Sequence, residues 1–397
     1  MAVTAPGGFL FAAATAGIKA SGNPDVAFVE APQGASAAAM FTRNLVAAAP
    51  VLVGRDHLKR TRGRVRAVIV NAGNANCATG DPGLGAAEAT CARVGDVLSA
   101  AAEFVIPSST GVIGVPLPVE KLTAAIPQLI ASKSGDVAAV ERFARAIMTT
   151  DTRPKIANAT LTVGKRTASL LGVAKGAGMI HPNMATMLVY LFTDVTASPT
   201  ELKPLLKSAV DATLNRISVD GDTSTNDTVL LLASGASGVS VGATGVRRKF
   251  AAALEDVCAS IAEQIVGDGE GVQHVVELTV TGAPSERAAD QIARTIAHSM
   301  LVKTAWAGAD PNWGRIVAAV GRSGVRVDPY AVDVRIGRQL VCRGGMAVAF
   351  DERAAHAEMQ KPRYAIEVRV GRGKGTVRLL TCDLTAEYVR INAEYTT

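Results

Sequence analysis

The sequence predicts an α/β (α+β) chain folded in packed layers, on three observations. Segments with apolar residues three and four apart alternate with short apolar runs of strand length. The two kinds interleave from one end of the chain to the other. Hydrophobic residues make up 48% and charged residues only 19%, enough apolar surface for a large core. Aromatics are 4% while Gly numbers 38, so Val, Leu, Ile and Ala must fill that core. At roughly 150 residues per domain, 397 residues make two or three domains, or two halves around one core.

The elements follow in order. Phe9–Ile18 is apolar, but no basic residue precedes it and Lys19 follows at once. It reads as a buried strand or turn rather than a secretory leader. Ala67–Val70 is a strand, and Gly85–Glu103, Val119–Ser132 and Val137–Met148 are helices by their spacing. Strands follow at Ala159–Val163, Ala168–Ala174 and Met187–Thr193, then a helix at Glu201–Arg216 and a strand at Thr228–Ala233. Val246–Val266 and Ser285–His298 are helices on either side of a strand at Val275–Thr281. The last strands are Ala331–Ile336, Tyr364–Val370 and Thr376–Thr381; the final two flank Gly371-Arg-Gly-Lys-Gly375 and are expected to form a hairpin. The pattern leaves strand order open.

Several function classes are disfavoured. The net charge is only +6, and the one dense basic stretch, Lys59–Arg66, reads as a solvated loop entering a strand. Without interleaved aromatics it does not suit base stacking, so no nucleic-acid partner is expected. No run reaches the roughly 18 apolar residues of a membrane span; no membrane partner is expected, and the cytoplasm is the expected location. Five scattered cysteines without a Cys-x-x-Cys pair argue against a disulfide framework or zinc site, and five histidines lack metal-ligand spacing. There is no phosphate loop, no His-Glu-x-x-His and no Gly-x-Ser-x-Gly, and Gly267-Asp-Gly-Glu-Gly271 has the wrong spacing for a dinucleotide fingerprint.

The informative stretch is Lys175-Gly-Ala-Gly-Met-Ile-His-Pro-Asn-Met-Ala-Thr-Met-Leu188. A Gly-rich segment with one Lys and one Pro leads into Thr186, and the apolar run Met187–Phe192 follows. Thr186 therefore stands at the tip of a core strand, with a kinked loop returning Lys175 towards it. Threonine is a weak nucleophile until a base takes its proton. If the preceding peptide bond is cut, its own α-amine, with a reference pKa of about 7.7–8.0 against about 10.4 for lysine, can be that base. From the residues alone, a β-branched residue capping a strand after a Gly/Pro loop is the more common explanation of the pattern.

This string resembles the self-cleavage site of the ornithine acetyltransferases, the bifunctional glutamate N-acetyltransferase family of arginine biosynthesis. Further strings resemble the same family in order: Gly17-Ile-Lys-Ala-Ser-Gly22, Phe41-Thr-Arg-Asn44, Asn71-Ala-Gly-Asn-Ala-Asn-Cys-Ala-Thr-Gly80 and Ser109-Thr-Gly-Val-Ile-Gly114. Ile147-Met-Thr-Thr-Asp151, Asp222-Thr-Ser-Thr-Asn-Asp-Thr228, Leu301-Val-Lys-Thr-Ala305, Asp310-Pro-Asn-Trp-Gly-Arg315 and Asn392-Ala-Glu-Tyr-Thr-Thr397 complete the set.

The resemblance implies a layered α/β sandwich cut between Ala185 and Thr186, giving an α chain of residues 1–185 and a β chain of residues 186–397 that begins with the nucleophile. It implies an oxyanion hole at Thr110 and Gly111, and substrate contacts at Lys175, Thr186, Glu270, Asn392, Thr397 and one of Thr149 and Thr150. Read without the family, Thr110-Gly111 is an ordinary turn, Glu270 is solvated, and Asn392 and Thr397 belong to a frayed tail. The implied reaction moves acetyl from N-acetylornithine to glutamate with no cofactor or metal. Acetyl-CoA is a second donor, with the Lys59–Arg66 stretch one candidate for its approach. The implied assembly is an α2β2 heterotetramer. The rival readings are an aminopeptidase or amidase of the same nucleophile class, and a non-enzymatic protein whose Gly-rich loop binds a small molecule.

Overall fold

The computed structural model describes residues 3–181 and 187–394. Two sheets organise them. The first contains β1 (Leu10–Ala14), β2 (Val26–Phe41), β3 (Arg64–Asn74), β4 (Val105–Val112), β5 (Lys155–Val163), β6 (Arg166–Lys175), β7 (Leu188–Thr193) and β8 (Thr228–Ala233). Its order is β4-β3-β2-β8-β7-β6-β5, with β1 paired to β2. The helices in this part are α1 (Ala49–Arg60), α2 (Gly80–Leu98), α3 (Val119–Ala131), α4 (Val137–Ala146), α5 (Pro199–Ala212) and α6 (Val246–Val266). The second sheet contains β9 (Val275–Ala283), β10 (Asp333–Ile336), β11 (Gln339–Arg343), β12 (Met346–Ala347), β13 (Arg363–Arg369) and β14 (Gly375–Cys382), in the order β12-β11-β10-β13-β9-β14. α7 (Glu286–Ala297), α8 (Met300–Ala307), α9 (Trp313–Gly321), α10 (Glu352–Met359) and α11 (Ala386–Glu394) accompany it.

β7 and β8 are buried along their whole length, so both read as continuous apolar runs. Val189, Leu191, Val229 and Leu231 face one way, onto Leu206 and Val210 of α5 and Phe250, Leu254 and Ile261 of α6. Leu188, Tyr190, Phe192, Leu230 and Leu232 face the other way, into a core shared with Phe11 and Phe143. There Phe11 and Phe192 meet edge to face at 5.0 Å, a preferred geometry for aromatic pairs. Each such side chain, fully buried, stabilises the fold by roughly 1.5–3 kcal/mol. α5 begins on a capping box: Ser198 N–H donates to Glu201 Oε2 at 2.8 Å, and Glu201 N–H to Ser198 Oγ at 3.3 Å.

The sequence reading and the structure agree on the layered α/β architecture, but the expected hairpin at the C-terminal end does not form. β13 and β14 do not pair with each other; β9 lies between them, parallel to β13 and antiparallel to β14. The glycines of Gly371–Gly375 let the connection cross the end of β9. A Cβ on Gly282 would lie 2.3 Å from Gly371 O, and Gly373 N–H donates to Gly282 O. β7 and β8 sit between β2 and β6, so residues on both sides of the expected cut belong to one sheet.

Candidate active site

The polar end of β4 is held from a distance. Ser109 Oγ donates to Asn71 Oδ1 at 2.6 Å, and Asn71 Nδ2 donates to Asn74 O at 2.8 Å. Asn226, in the chain entering β8, donates through Nδ2 to Ala75 O at 2.6 Å and Ser109 O at 2.9 Å. The ends of β3 and β4 are thus tied to the start of β8. The β3 register shifts between Gly73 and Asn74, a bulge that re-aims a strand end. Gly111 is paired with Gly73 and has φ +133°; a Cβ there would lie 2.3 Å from Gly73 C and 2.5 Å from Asn74 N. Only glycine fits this approach. A Thr-Gly that sequence alone reads as a turn is therefore the end of a braced strand, with Thr110 buried and Gly111 partly so.

The Gly-rich segment is pinned as firmly. Lys175 ends β6 opposite Leu188, so the chain re-enters the sheet beside Lys175. Gly176 N–H donates to Asp151 Oδ1 at 2.7 Å, and Met179 and Ile180 N–H donate to the two oxygens of Asp220 at 2.6 and 2.8 Å. Asp151 and Asp268 each hold the fully buried Lys155 ammonium at 2.6 Å. Burial opposes the charge on Asp151, but Lys155 and Lys175 outweigh it and hold its pKa below the usual carboxylate value. Glu270 lies against Gly178, where a Cβ would meet its Oε2 at 2.4 Å. Asn392 Nδ2 donates to Glu270 Oε2 at 2.8 Å, so α11 folds back over the site instead of fraying.

Thr110, Gly111, Thr149, Thr150, Lys175, Glu270 and Asn392 all line one cavity of ≈ 100 Å³. Both threonines of the 149–150 pair face it, so either can meet a ligand. Ala185 and Thr186, and Thr397 at the C-terminus, lie outside the described residues. The cavity's cation is Lys175, whose pKa burial lowers despite the pull of Asp151 and Asp227. Asp227 shares the cavity, unassigned by the sequence reading. Burial raises its pKa well above the carboxylate range against the opposing pull of Lys175. Its Oδ2 has no hydrogen-bond partner among the described residues. The signal that could have found it is the small polar run Asp222–Thr228 placed directly before the apolar run Val229–Ala233. The Lys59–Arg66 stretch does not line the cavity. It lies at the far ends of α1 and β3, and α1, with 12 residues, spans about 18 Å. Arg66 is also engaged with Glu30 at 2.7 Å. Among the described residues no group of His, Cys, Asp and Glu could hold a metal ion, and no helix is long and apolar enough to cross a membrane.

The family model for ArgJ matches residues 10–397. The chain belongs to the ArgJ family. The arginine biosynthesis bifunctional protein ArgJ of Methylococcus capsulatus is 44% identical, over 98% of this chain and 95% of its own. That of Geobacter sulfurreducens is 44% identical, over 98% and 99%. The crystal structure of the Bacillus halodurans protein superimposes with a TM-score of 0.51 at 40% identity, covering 53% of this chain and 100% of that one. As an ArgJ member the chain is an acetyltransferase of arginine biosynthesis. Two of the family strings meet in the ArgJ fold. Thr42 Oγ1 donates to Ser224 O at 2.8 Å and Asn44 Nδ2 to Thr223 O at 3.0 Å, so Phe41–Asn44 clamps the Asp222–Thr228 run.

Proposed function

We propose that this enzyme carries out ping-pong acetyl transfer from N-acetylornithine to glutamate through an acetyl-Thr186 intermediate. The observation that carries the reading is the single cavity lined by all seven described candidate residues, beside the point where the chain re-enters the sheet two residues after Thr186. Thr186 Oγ first attacks the Ala185 carbonyl, and water opens the resulting ester. This frees the α-amine of Thr186 and separates residues 1–185 from 186–397. The full coverage of the Bacillus halodurans chain by 53% of this one supports a cut near the middle, since residues 186–397 are that share of the sequence.

In the acetyl-transfer cycle the freed amine takes the Thr186 hydroxyl proton as Oγ attacks the acetyl carbonyl. Negative charge grows on the carbonyl oxygen, where Gly111 N–H and Thr110 stabilise it; one such donor is worth about 2.7–4 kcal/mol. Collapse breaks the amide C–N bond, and ornithine leaves with the proton. Glutamate's amine then attacks the ester and departs as N-acetylglutamate, returning the proton to Thr186. Lys175 faces a substrate carboxylate and Glu270 a substrate ammonium. No step draws on a metal or a bound cofactor. Acetyl-CoA serves as a second donor, and the two products assemble as an α2β2 heterotetramer in the cytoplasm.

Stopped reactions analysed by mass spectrometry test this. N-Acetylornithine should add one acetyl group to the chain beginning at Thr186. The adduct should vanish quickly with glutamate and persist in water alone. Equal decay in both would make the enzyme an amidase, and absence of any adduct would remove Thr186 as the nucleophile.

A further inference from the structure

A second space adjoins the catalytic cavity, and no function has so far been given to it. It measures ≈ 750 Å³ and shares Thr149 with the catalytic cavity. The two are divided by the paired ends of β3 and β4: Gly73, Asn74 and Val112 face the larger space, while Ala75 and Gly111 face the smaller. The catalytic cavity, ≈ 100 Å³, is much the smaller of the two. Any donor much larger than an amino acid must leave most of itself outside. The larger cleft falls within the range of about 300–1,000 Å³ of small-molecule sites.

Its charge is one-sided. Lys19 and Lys121 line it and no acidic side chain does; the nearby Asp25 and Asp151 carboxylates act on Lys19 without lining the cleft. Lys19 is fixed: its Nζ donates to Pro24 O at 2.7 Å and Ala146 O at 2.9 Å, which leaves its third N–H unassigned. The loop carrying it is held by Asp25, whose carboxylate accepts from the N–H groups of Ala16, Ile18 and Lys19 at 2.6, 2.6 and 3.0 Å. Gly73 leaves room for the Lys19 stem, since a Cβ there would sit 3.0 Å from Lys19 Cγ. Lys121, in the first turn of α3, reaches only the Gly17 carbonyl, at 3.3 Å. Gly17–Ser21 is one of the strings the catalytic cavity leaves unused.

We propose that this cleft holds the phosphate-bearing part of a thioester acetyl donor of the acetyl-CoA type, with Lys19 and Lys121 meeting its phosphates while the acetyl group passes the β3–β4 ends to Gly111. The proposal rests on the acetyl-enzyme reading above. The step balances: Thr186 Oγ attacks the thioester carbonyl, the C–S bond breaks, and the thiolate leaves with the hydroxyl proton as the free thiol. The cleft replaces Lys59–Arg66 as the approach for this donor.

The test compares wild type with Lys121→Glu, an exposed position whose reversal leaves the fold intact, using three donors and glutamate as acceptor. The donors are acetyl-CoA, N-acetylornithine, and S-acetyl-N-acetylcysteamine, a short thioester without phosphates. The ratio of kcat/KM for acetyl-CoA to that for N-acetylornithine should fall roughly tenfold through KM, an exposed charge contact converted to like-charge repulsion. The short thioester should keep its wild-type ratio. Adenosine 3′,5′-bisphosphate should compete with acetyl-CoA and lose affinity in Lys121→Glu. An equal fall for all three donors would overturn the assignment. Wild type that exchanges acetyl between N-acetylornithine and glutamate but takes none from acetyl-CoA would overturn it while leaving the transfer reading intact. Failure of the exchange itself would sink that reading instead.

Discussion

Replacing Gly111 by alanine tests whether the close β3–β4 approach is what makes an oxyanion site. The new Cβ would stand 2.3 Å from Gly73 C and 2.5 Å from Asn74 N, both backbone atoms that no rotamer change can clear. Ordinary contact begins at 3.4 Å, so the strand ends must part by about 1 Å. The φ of +133° adds strain, of order 1–3 kcal/mol for a non-glycine residue. A misplacement of about 1 Å near reacting atoms costs about 10²-fold in rate. Gly111→Ala should therefore lower kcat by roughly 10²–10³ with KM little changed. The assay is single-turnover acetylation of the cut enzyme by N-acetylornithine, followed by mass, with thermal unfolding measured alongside. Thr110→Ala should lower the rate to a similar degree without the strain, so its Tm should stay closer to wild type. Wild-type acetylation by Gly111→Ala would refute the placement of the oxyanion at this strand end.

Other consequences follow from the buried charges. Asp268→Asn removes one of the two carboxylates on the fully buried Lys155 and should destabilise the protein by about 3 kcal/mol, measured by denaturant unfolding. His181 and His298 pack edge to face at 4.2 Å; burial and neighbouring cations lower their pKa values from 6.5 to about 4 and about 3. Their folded values lie below the unfolded value, so the unfolded chain binds more protons between pH 6.5 and 4, and stability should fall as pH drops through that window. Both rings are partly solvated, so each contributes about 1–2 kcal/mol rather than the full shift. His298→Asn should reduce the slope of unfolding free energy against pH there; an unchanged slope would remove the histidine pair as its cause.

The fold was legible where one segment carries its own pattern. α6 is legible at its observed bounds because apolar residues recur at helical spacing along 21 residues, Val246 to Val266, and β8 because five apolar residues follow Thr228 without a break. β2 was missed, since its register slips between Glu30 and Ala35 around Pro32 and Gly34, interrupting any period. β4 was missed because Ser108, Ser109 and Thr110 are buried there, and the partners holding that stretch, Asn71 and Asn226, are 38 and 117 residues away. The position of β9 between β13 and β14 is likewise a long-range choice that no local window contains. At the site, the residue types at Thr110, Lys175 and Glu270 were visible through the family resemblance. Their convergence depends on the Gly73–Gly111 approach and on the folding back of α11, neither of which has a signature in sequence. Asp227 stayed hidden because its perturbed acidity comes from burial.

The measurement that bears most directly on the central claim is the intact mass of the purified enzyme under denaturing conditions. The uncut chain has a mass of 40.8 kDa. A cut between Ala185 and Thr186 predicts two chains, of residues 1–185 and 186–397, with Thr186 at the new N-terminus, whereas Thr186→Ala should give one chain. Wild-type enzyme that transfers acetyl groups at full rate as a single uncut chain would contradict the proposal that the freed amine of Thr186 is the base.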